Sequence, residues 1–437
     1  MTDTASVILL CTVGGSHEPI LTAIRETSPS FVCFICSGKD PATGKPGSDT
    51  QILGKGNIIK KFPKDDKPSL PNIPTQAGLR EDQFEVVEVL ADDLGQAFEK
   101  ISATLLTLSR RFLNGRFLAD YTGGTKTMTA ALVTAALESD AVELQLVTGS
   151  RTDLVKVRSG MESAIPANVE RIRLERAMAP YVAAWQRFSY GEAAQGLASL
   201  PSPRDTELAA KLRTLRDLSK AFDAWDRFDH ASALDLLEAY RPKIGQALAP
   251  YFNAIKMLVT ESPAQEPMRL FDLWRNAQRW AAQGRYDDAV ARVYRLLEWS
   301  AQWLLRKHCG IDTSDVSADR LPEGMNLAAN REGKLQAPLF AAWELVAHLT
   351  SGPASRFANK HRERLRDRVN VRNVSILAHG FTPVSKAEWT VFADWIEKQM
   401  IPMLLDEAAE LKLRGAPLQL PTSPAWELEM FPRSNHT

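Results

Sequence analysis

The stretch GRFLADYTGGTKTM, residues 115–128, passes from an apolar strand (115–122) through two glycines into a helical pattern over about 125–139. A strand that ends in such a turn and restarts as a helix is one half of a βαβ unit, in which the next strand runs parallel to the first. The same alternation extends in both directions. Strands are expected at 6–13 (SVILLCTV), 31–37 (FVCFICS), 84–90 (FEVVEVL) and 142–149 (VELQLVTG), with helices at 17–26 and near 92–113. Five such strands predict a mostly parallel sheet covered by helices. Ligands of such sheets lie at the carboxyl ends of the strands, near a switch in strand order.

The N-terminal part therefore reads as a Rossmann-like α/β domain, over residues 1–175. Between Gly38 and Gln83 it carries an insert dense in Gly, Pro and Lys. A loop of that length is either a functional lid or a disordered insertion. DLVKVRSG and NVERIRLE, which follow the fifth strand, are expected as a closing hairpin or edge strands. Beyond Pro180 the pattern is helical throughout, giving an all-α middle region (176–264) and an all-α C-terminal domain (265–413). The tail, 414–437, is proline-rich and expected to pack loosely or stay disordered. Three segments resemble one another: Trp185 to Ala193, Trp225 to Ala233 and Trp280 to Ala289. Each has an aromatic, a short polar break and an alanine on a new helix, which fits successive helical hairpins with the aromatics in the core.

Composition narrows the function classes. Lys and Arg number 53, as do Asp and Glu, so any nucleic-acid surface must be local. No apolar run reaches the length of a membrane span, no signal peptide is read at the N-terminus, and four cysteines in 437 residues fit a reducing, cytoplasmic setting. Cys33 and Cys36 form a C-x-x-C, but on a strand residues three apart point to opposite faces, so they are expected in the core and not on a metal.

Two loops can hold phosphate. CTVGGSHEPI, after the first strand, offers Thr12, Gly14, Gly15 and Ser16. DYTGGTKTM, after the fourth, offers Thr122, Gly123, Gly124, Thr125 and Lys126. Glycines let backbone N–H groups approach an anion, helix N-termini add partial positive charge, hydroxyls add donors, and Lys126 adds a full charge. Neither loop has the spacing G-x-x-x-x-G-K-[ST] or G-x-G-x-x-G, which disfavours a nucleoside triphosphatase or a nicotinamide enzyme.

These two loops, TVGGSHEPI and DYTGGTKTM, resemble the signature loops of the CARF domain, the Rossmann-like sensor of CRISPR-associated proteins. The resemblance implies a pocket at a dimer interface that binds cyclic oligoadenylate through the nine residues just named. Some members of the family also cleave the ring slowly, and for such a step the resemblance implies Ser16 and Lys126 as the candidates. The insert at 38–83 departs from compact members of the family.

NVRNVSILAHGF contains Arg372, Asn373 and His379. On a helix, seven steps of 100° return within about 20° of the start, so Arg372 and His379 share a face. An arginine can stabilise charge on a phosphate and a histidine can move a proton, which suits phosphodiester cleavage without a metal. The spacing also arises by chance. It resembles the R-x₄₋₆-H motif of HEPN ribonucleases, and GRYDDAVARVYRLLEWSAQWLL (284–305) resembles an early helix of the CRISPR-associated kind. The resemblance implies a homodimer with a composite site made of Arg372, Asn373 and His379, no cofactor, and single-stranded RNA as substrate. Glu298 is expected in a structural ion pair. Just upstream, Arg356, Lys360, Arg362, Arg364, Arg366, Arg368 and Arg372 outweigh Glu363 and Asp367, either as a solvated face or as a backbone-binding surface. His361 is a weaker candidate within that run. The reading is thus a CARF sensor followed by a HEPN ribonuclease activated by cyclic oligoadenylate. A nucleotide-sensing module without nuclease activity, or a ring nuclease, are the alternatives.

Overall fold

The computed structural model describes residues 6–40, 43–61, 66–153, 156–373, 381–411, 413 and 418–424, and the chain divides into two compact units, Met1–Glu175 and Arg176–Thr437. In the first unit the elements run β1 (Val7–Thr12), α1 (Glu18–Thr27), β2 (Phe31–Ser37), α2 (Thr50–Leu53), α3 (Ile73–Ala77), β3 (Phe84–Val89), α4 (Leu94–Arg111), β4 (Arg116–Asp120), α5 (Lys126–Leu137), β5 (Val142–Asp153) and β6 (Lys156–Pro166). They form one sheet of order β3-β2-β1-β4-β5-β6, parallel except for β6, which pairs antiparallel with β5. The order reverses between β1 and β4, which are hydrogen-bonded neighbours.

Period-two alternation divides the strands between two core layers. Ile8 and Leu10 of β1 pack with Ile101, Leu105, Ala131 and Leu132 of α4 and α5. Leu9 and Cys11 face the other way, against Ile20, Ala23 and Ile24 of α1. Cys33 belongs to the first layer and Cys36 to the second, so the two thiols lie on opposite faces as their spacing requires.

Two expectations fail here. Over its described residues the insert is ordered, which removes the disordered reading and leaves the lid. It carries α2, α3 and an antiparallel bridge between Ile59 and Leu70, and buries Ile52, Ile59 and Ile73 in the second core layer. Three isoleucines spaced along a Gly- and Pro-rich stretch supply the apolar anchors that its average composition hides. NVERIRLE is not a strand: β6 ends at Pro166, and α6 (Glu170–Trp185) takes up the segment. Arg173 there donates to the carbonyls of Ala136, Ser139 and Val142, a C-terminal cap for α5 and its turn.

The second unit is helical: the end of α6, then α7 (Tyr190–Ser199), α8 (Thr206–Asp226), α9 (His230–Glu238), α10 (Arg241–Val259), α11 (Gln265–Ala282), α12 (Tyr286–Cys309), α13 (Leu339–Leu349), α14 (Gly352–Asn373), α15 (Lys386–Trp395), a π turn (Ile396–Met400) and α16 (Ile401–Glu407). The three similar segments share one hairpin geometry. Each first helix is followed, two or three residues on, by one with positive φ: Phe188 (57°), Phe228 (64°) and Gly284 (78°). The next N–H then bonds five residues back, Ser189 to Ala184, Asp229 to Ala224 and Arg285 to Trp280. Ala193, Ala233 and Ala289 follow at the same offset, all fully buried. That register puts Trp185 and Trp225 in equivalent places and Trp280 one residue early. The first two are core residues. Trp280 is half-buried between the guanidinium groups of Arg285 and Arg292, each 3.9 Å from its ring centroid.

Most of the tail, 414–417 and 425–437, lies outside the described residues. Its described part, Leu418–Pro424, is docked. Leu420 is buried, Gln419 donates to the Arg275 carbonyl, and the Pro421 carbonyl accepts from Tyr190 Oη at 2.8 Å. Pro421 and Pro424 bring no N–H donors, and for this described part the expected loose packing does not hold.

Candidate functional site

The loops after β1 and β4 meet at the switch point. Thr12 Oγ1 donates to the Gly123 carbonyl at 2.5 Å. A Cβ on Gly14 would lie 2.6 Å from the Gly124 amide nitrogen, so the two backbones are in contact. Gly124 has φ 83°, and a Cβ there would meet Thr12 Cβ at 2.8 Å. These two glycines therefore serve first to let the loops touch, and only Gly15, with open space around it, leaves room for a ligand.

The hydroxyls differ from expectation. Thr12 is fully buried on Gly123. Thr125 caps α5 by accepting from the Met128 N–H and donates to the Ala91 carbonyl at 2.6 Å. Thr122 Oγ1 accepts from the Val147 N–H. All three side chains are committed to the scaffold, because a strand-to-helix turn must satisfy its own orphan groups first. Asp120 closes the same turn, accepting from the Thr122 N–H and from Gln145, while burial pushes its carboxyl above the ordinary range against those hydrogen bonds.

What remains open is a row of amides. Among the described residues, the N–H groups of Gly14, Gly15, Ser16, Gly123, Gly124 and Thr125 meet no acceptor. Ser16 and Lys126 are the exposed side chains of the two loops. Lys126 is the first residue of α5, where a cation opposes the helix dipole and so gains nothing for helix stability. Glu18, in the first turn of α1, works against an anion on that side, although His17 Nδ1 lies 3.5 Å from it. Sequence reading missed Gln51, whose Nε2 donates to the Gly14 carbonyl and ties the insert to the first loop. No motif marks it.

In the second unit, Arg372 and Asn373 are the last two residues of α14, and His379 lies outside the described residues. Glu298 pairs with Arg295 at 2.8 Å, one turn away on its own helix, the structural role expected. His361 is not a surface candidate. It is buried, its ring 4.8 Å from Phe357, and its Nδ1 accepts from the Trp395 indole N–H at 3.4 Å. The N-terminus of α14 is fixed by buried Glu407, which accepts from the Ala354 N–H at 2.9 Å and from His308 at 2.6 Å. Burial pushes that carboxyl up, but the Ala354 amide, His308 and Lys307 outweigh it and hold it below the ordinary range.

His361 makes α14 acid-sensitive. Burial, then Lys360 and Arg364, depress its pKa, against a hydrogen bond that the ring donates to Gln399. The indole can only donate, so Nδ1 must carry a lone pair, and a second proton would set two donors against each other. A base whose folded pKa is depressed contributes stability that is present above its unfolded value, near 6.5, and is lost as pH falls. His361→Gln is therefore expected to cost stability at pH 7.5 and progressively less toward pH 5.5. Melting temperatures of both proteins across that range check this, and a constant gap would refute it.

Residues 261–402 match the family model described as the Csm6 HEPN domain, a span that contains Arg372, Asn373 and His379. No curated protein matches the sequence. Among solved structures, the chain is similar to Enterococcus italicus Csm6 in its complex with cyclic hexa-2'-fluoro-hexa-dAMP, with a TM-score of 0.59 and 13% identity over 93% of this chain and 95% of that one. The helical segment 261–402 thus matches the Csm6 HEPN model, and the chain as a whole shares its fold with that Csm6 structure.

Proposed function

We propose that this chain is a CRISPR-associated endoribonuclease of the HEPN type, activated by cyclic oligoadenylate. In this reading it acts as a cytoplasmic homodimer in antiviral defence and cuts single-stranded RNA without sequence preference and without a metal. The observation that carries the reading is that Arg372, Asn373 and His379 fall inside the segment matched by the HEPN model. The ligand half is supported by the unpaired amides and Lys126 at the β1/β4 switch, an arrangement suited to several phosphates at once. The solved Csm6 it resembles holds a cyclic hexanucleotide. Activation requires the ring to bind the active arrangement more tightly than the inactive one.

The test is cleavage of an unstructured RNA with and without cyclic tetra- or hexa-adenylate, in chelator. Stimulation by one ring supports the reading. Binding of a ring with no cleavage points instead to a sensing module. Consumption of the ring, followed by chromatography and lost in Ser16→Ala, favours ring cleavage, for which the exposure of Ser16 and Lys126 is the supporting observation.

The loops make a graded prediction. Gly14→Val forces the β1 loop away from the Gly124 backbone, which cannot yield as a side chain can. Activation is expected to disappear at all ring concentrations, while basal cleavage stays. Lys126→Ala removes one charge-assisted contact, worth about 1.5–3 kcal/mol, so half-maximal activation should need roughly 10- to 100-fold more ring. Activation curves measure both, and a normal curve for Gly14→Val would place the ring elsewhere.

A further inference from the structure

Helices α13 and α14 form a hairpin with a shallow cleft along it. Phe340, Trp343, Glu344 and His348 line one side, and Asn359, Arg362 and Arg366 the other. Phe340 keeps 36% of its surface exposed at the mouth, beside a charged rim. Trp343 is nearly buried, its indole N–H on the Leu297 carbonyl, and forms the floor. Arg362 is held beside the cleft by Glu344, which fixes its guanidinium. Arg366 is exposed and has no ion pair among the described residues.

Two observations say what this cleft takes. Residues 356–366 carry Arg356, Lys360, Arg362, Arg364 and Arg366 against the single Glu363, so the surroundings favour a polyanion. The cleft also shares a helical stripe with one motif residue, Asn373, while Arg372, one position earlier, lies about 100° round the helix from it. Asn373 falls seven residues after Arg366 and eleven after Arg362 in the same helix, hence on the same side of it and about 10 Å further along the axis from Arg366. A strand lying along that stripe passes from the cleft to the Arg372–Asn373 end of α14. The enclosed part of the cleft is only about 30 Å³, so a flat group lies across it and is not engulfed.

We propose that the α13–α14 cleft seats one unpaired nucleobase of the RNA, stacked on Phe340 and flanked by Arg362 and Arg366, and so positions the strand for cutting at the end of α14. The inference rests on the ribonuclease reading. A base held by its face against an aromatic ring and guanidinium groups is not read by its edge, so this positioning is tolerant of sequence. Phe340 is a positioning residue here: it touches the substrate away from the scissile bond.

The experiment uses the full chain carrying His379→Ala, so that RNA stays intact, and a labelled unstructured 12-mer RNA read by fluorescence anisotropy. Adding Phe340→Ala is expected to raise Kd about 10-fold, and Phe340→Trp to restore it. A fully abasic strand of the same length should bind both proteins equally. In the active protein, Phe340→Ala should raise KM with kcat within about twofold. Unchanged affinity for the 12-mer, or an equal loss for the abasic strand, overturns the proposal and leaves the cleft to a protein partner or to packing. If the active protein cuts no RNA under any ring, the ribonuclease reading falls, and the anisotropy series still decides whether the cleft holds a base.

Discussion

His379→Ala is expected to lower RNA cleavage by about 10³-fold or more while leaving ring binding unchanged. The magnitude follows from the chemistry assigned to the motif. In metal-free cleavage the 2′-oxygen attacks phosphorus and the P–O5′ bond breaks. The 2′-hydroxyl loses a proton and the 5′-oxygen gains one, leaving a 2′,3′-cyclic phosphate and a 5′-hydroxyl. A positioned histidine contributes typically 10²–10⁴-fold to such transfers. In the proposed reading, Arg372 would hold charge on the phosphoryl oxygens as it builds, an electrostatic share of similar size. Arg372→Ala should therefore lose about 10²–10³-fold. Arg372→Lys should recover only part, since a lysine keeps the charge but not the two-pronged geometry. Because the two groups act on one transition state, the double variant should be scarcely worse than the poorer single one. Single-turnover rates at saturating ring, in chelator, measure all four. Full activity in either alanine variant would remove the motif from the chemistry.

The sheet was legible because strand and helix periods are local signals. The expected strands at 6–13, 31–37, 84–90, 115–122 and 142–149 match β1 to β5 closely, and the glycine pairs fall at the carboxyl ends of β1 and β4. The strand order was not legible. It depends on pairing between distant segments, yet it is what brings the two loops together. For the same reason a motif reading assigned the threonine hydroxyls to the ligand. Their real partners, Gly123, Ala91 and Val147, are contacts that only the fold creates. Average composition hides the anchors of the insert and of the tail's described part: a few residues, Ile52, Ile59 and Ile73 in one and Gln419 and Leu420 in the other, decide where each packs. In the C-terminal unit the basic run was visible, but the aromatic cleft beside it combines α13 with α14 and has no signature within either helix.

The largest stability effect is expected at a residue that no motif flags. Arg279 of α11 is fully buried, its Nε on Asp226 at 2.5 Å and its Nη1 on Gln419 at 2.8 Å, with Asp272 3.9 Å away. Asp272 is itself engaged by His230 at 2.9 Å and by the Trp225 indole. In sequence, Asp272, Asn276 and Arg279 recur at helical spacing inside an otherwise apolar stripe of Leu270, Phe271, Trp274 and Ala277, the one trace the network leaves. Arg279→Leu takes away the cation and leaves the carboxylates in the core. Breaking a buried pair in this way costs about 3–5 kcal/mol, whereas replacing the whole pair by apolar groups is often neutral. The double variant Arg279→Leu with Asp226→Leu should therefore recover much of the loss, less what Asn276 forfeits when its bond to Asp226 Oδ1 goes. The sign with pH is also fixed. Burial already raises the Asp226 pKa, and Arg279 is the main influence holding it down. Without Arg279 that pKa rises further, and a carboxyl whose folded pKa is raised loses stability as pH climbs from its unfolded value, near 4, through the folded one. Arg279→Leu should thus be closer to wild type at pH 5 than at pH 8. Urea unfolding at both values, for the single and double variants, measures this. A pH-independent loss, or no recovery in the double variant, would mean that packing around the guanidinium, and not the charge left behind, sets the cost.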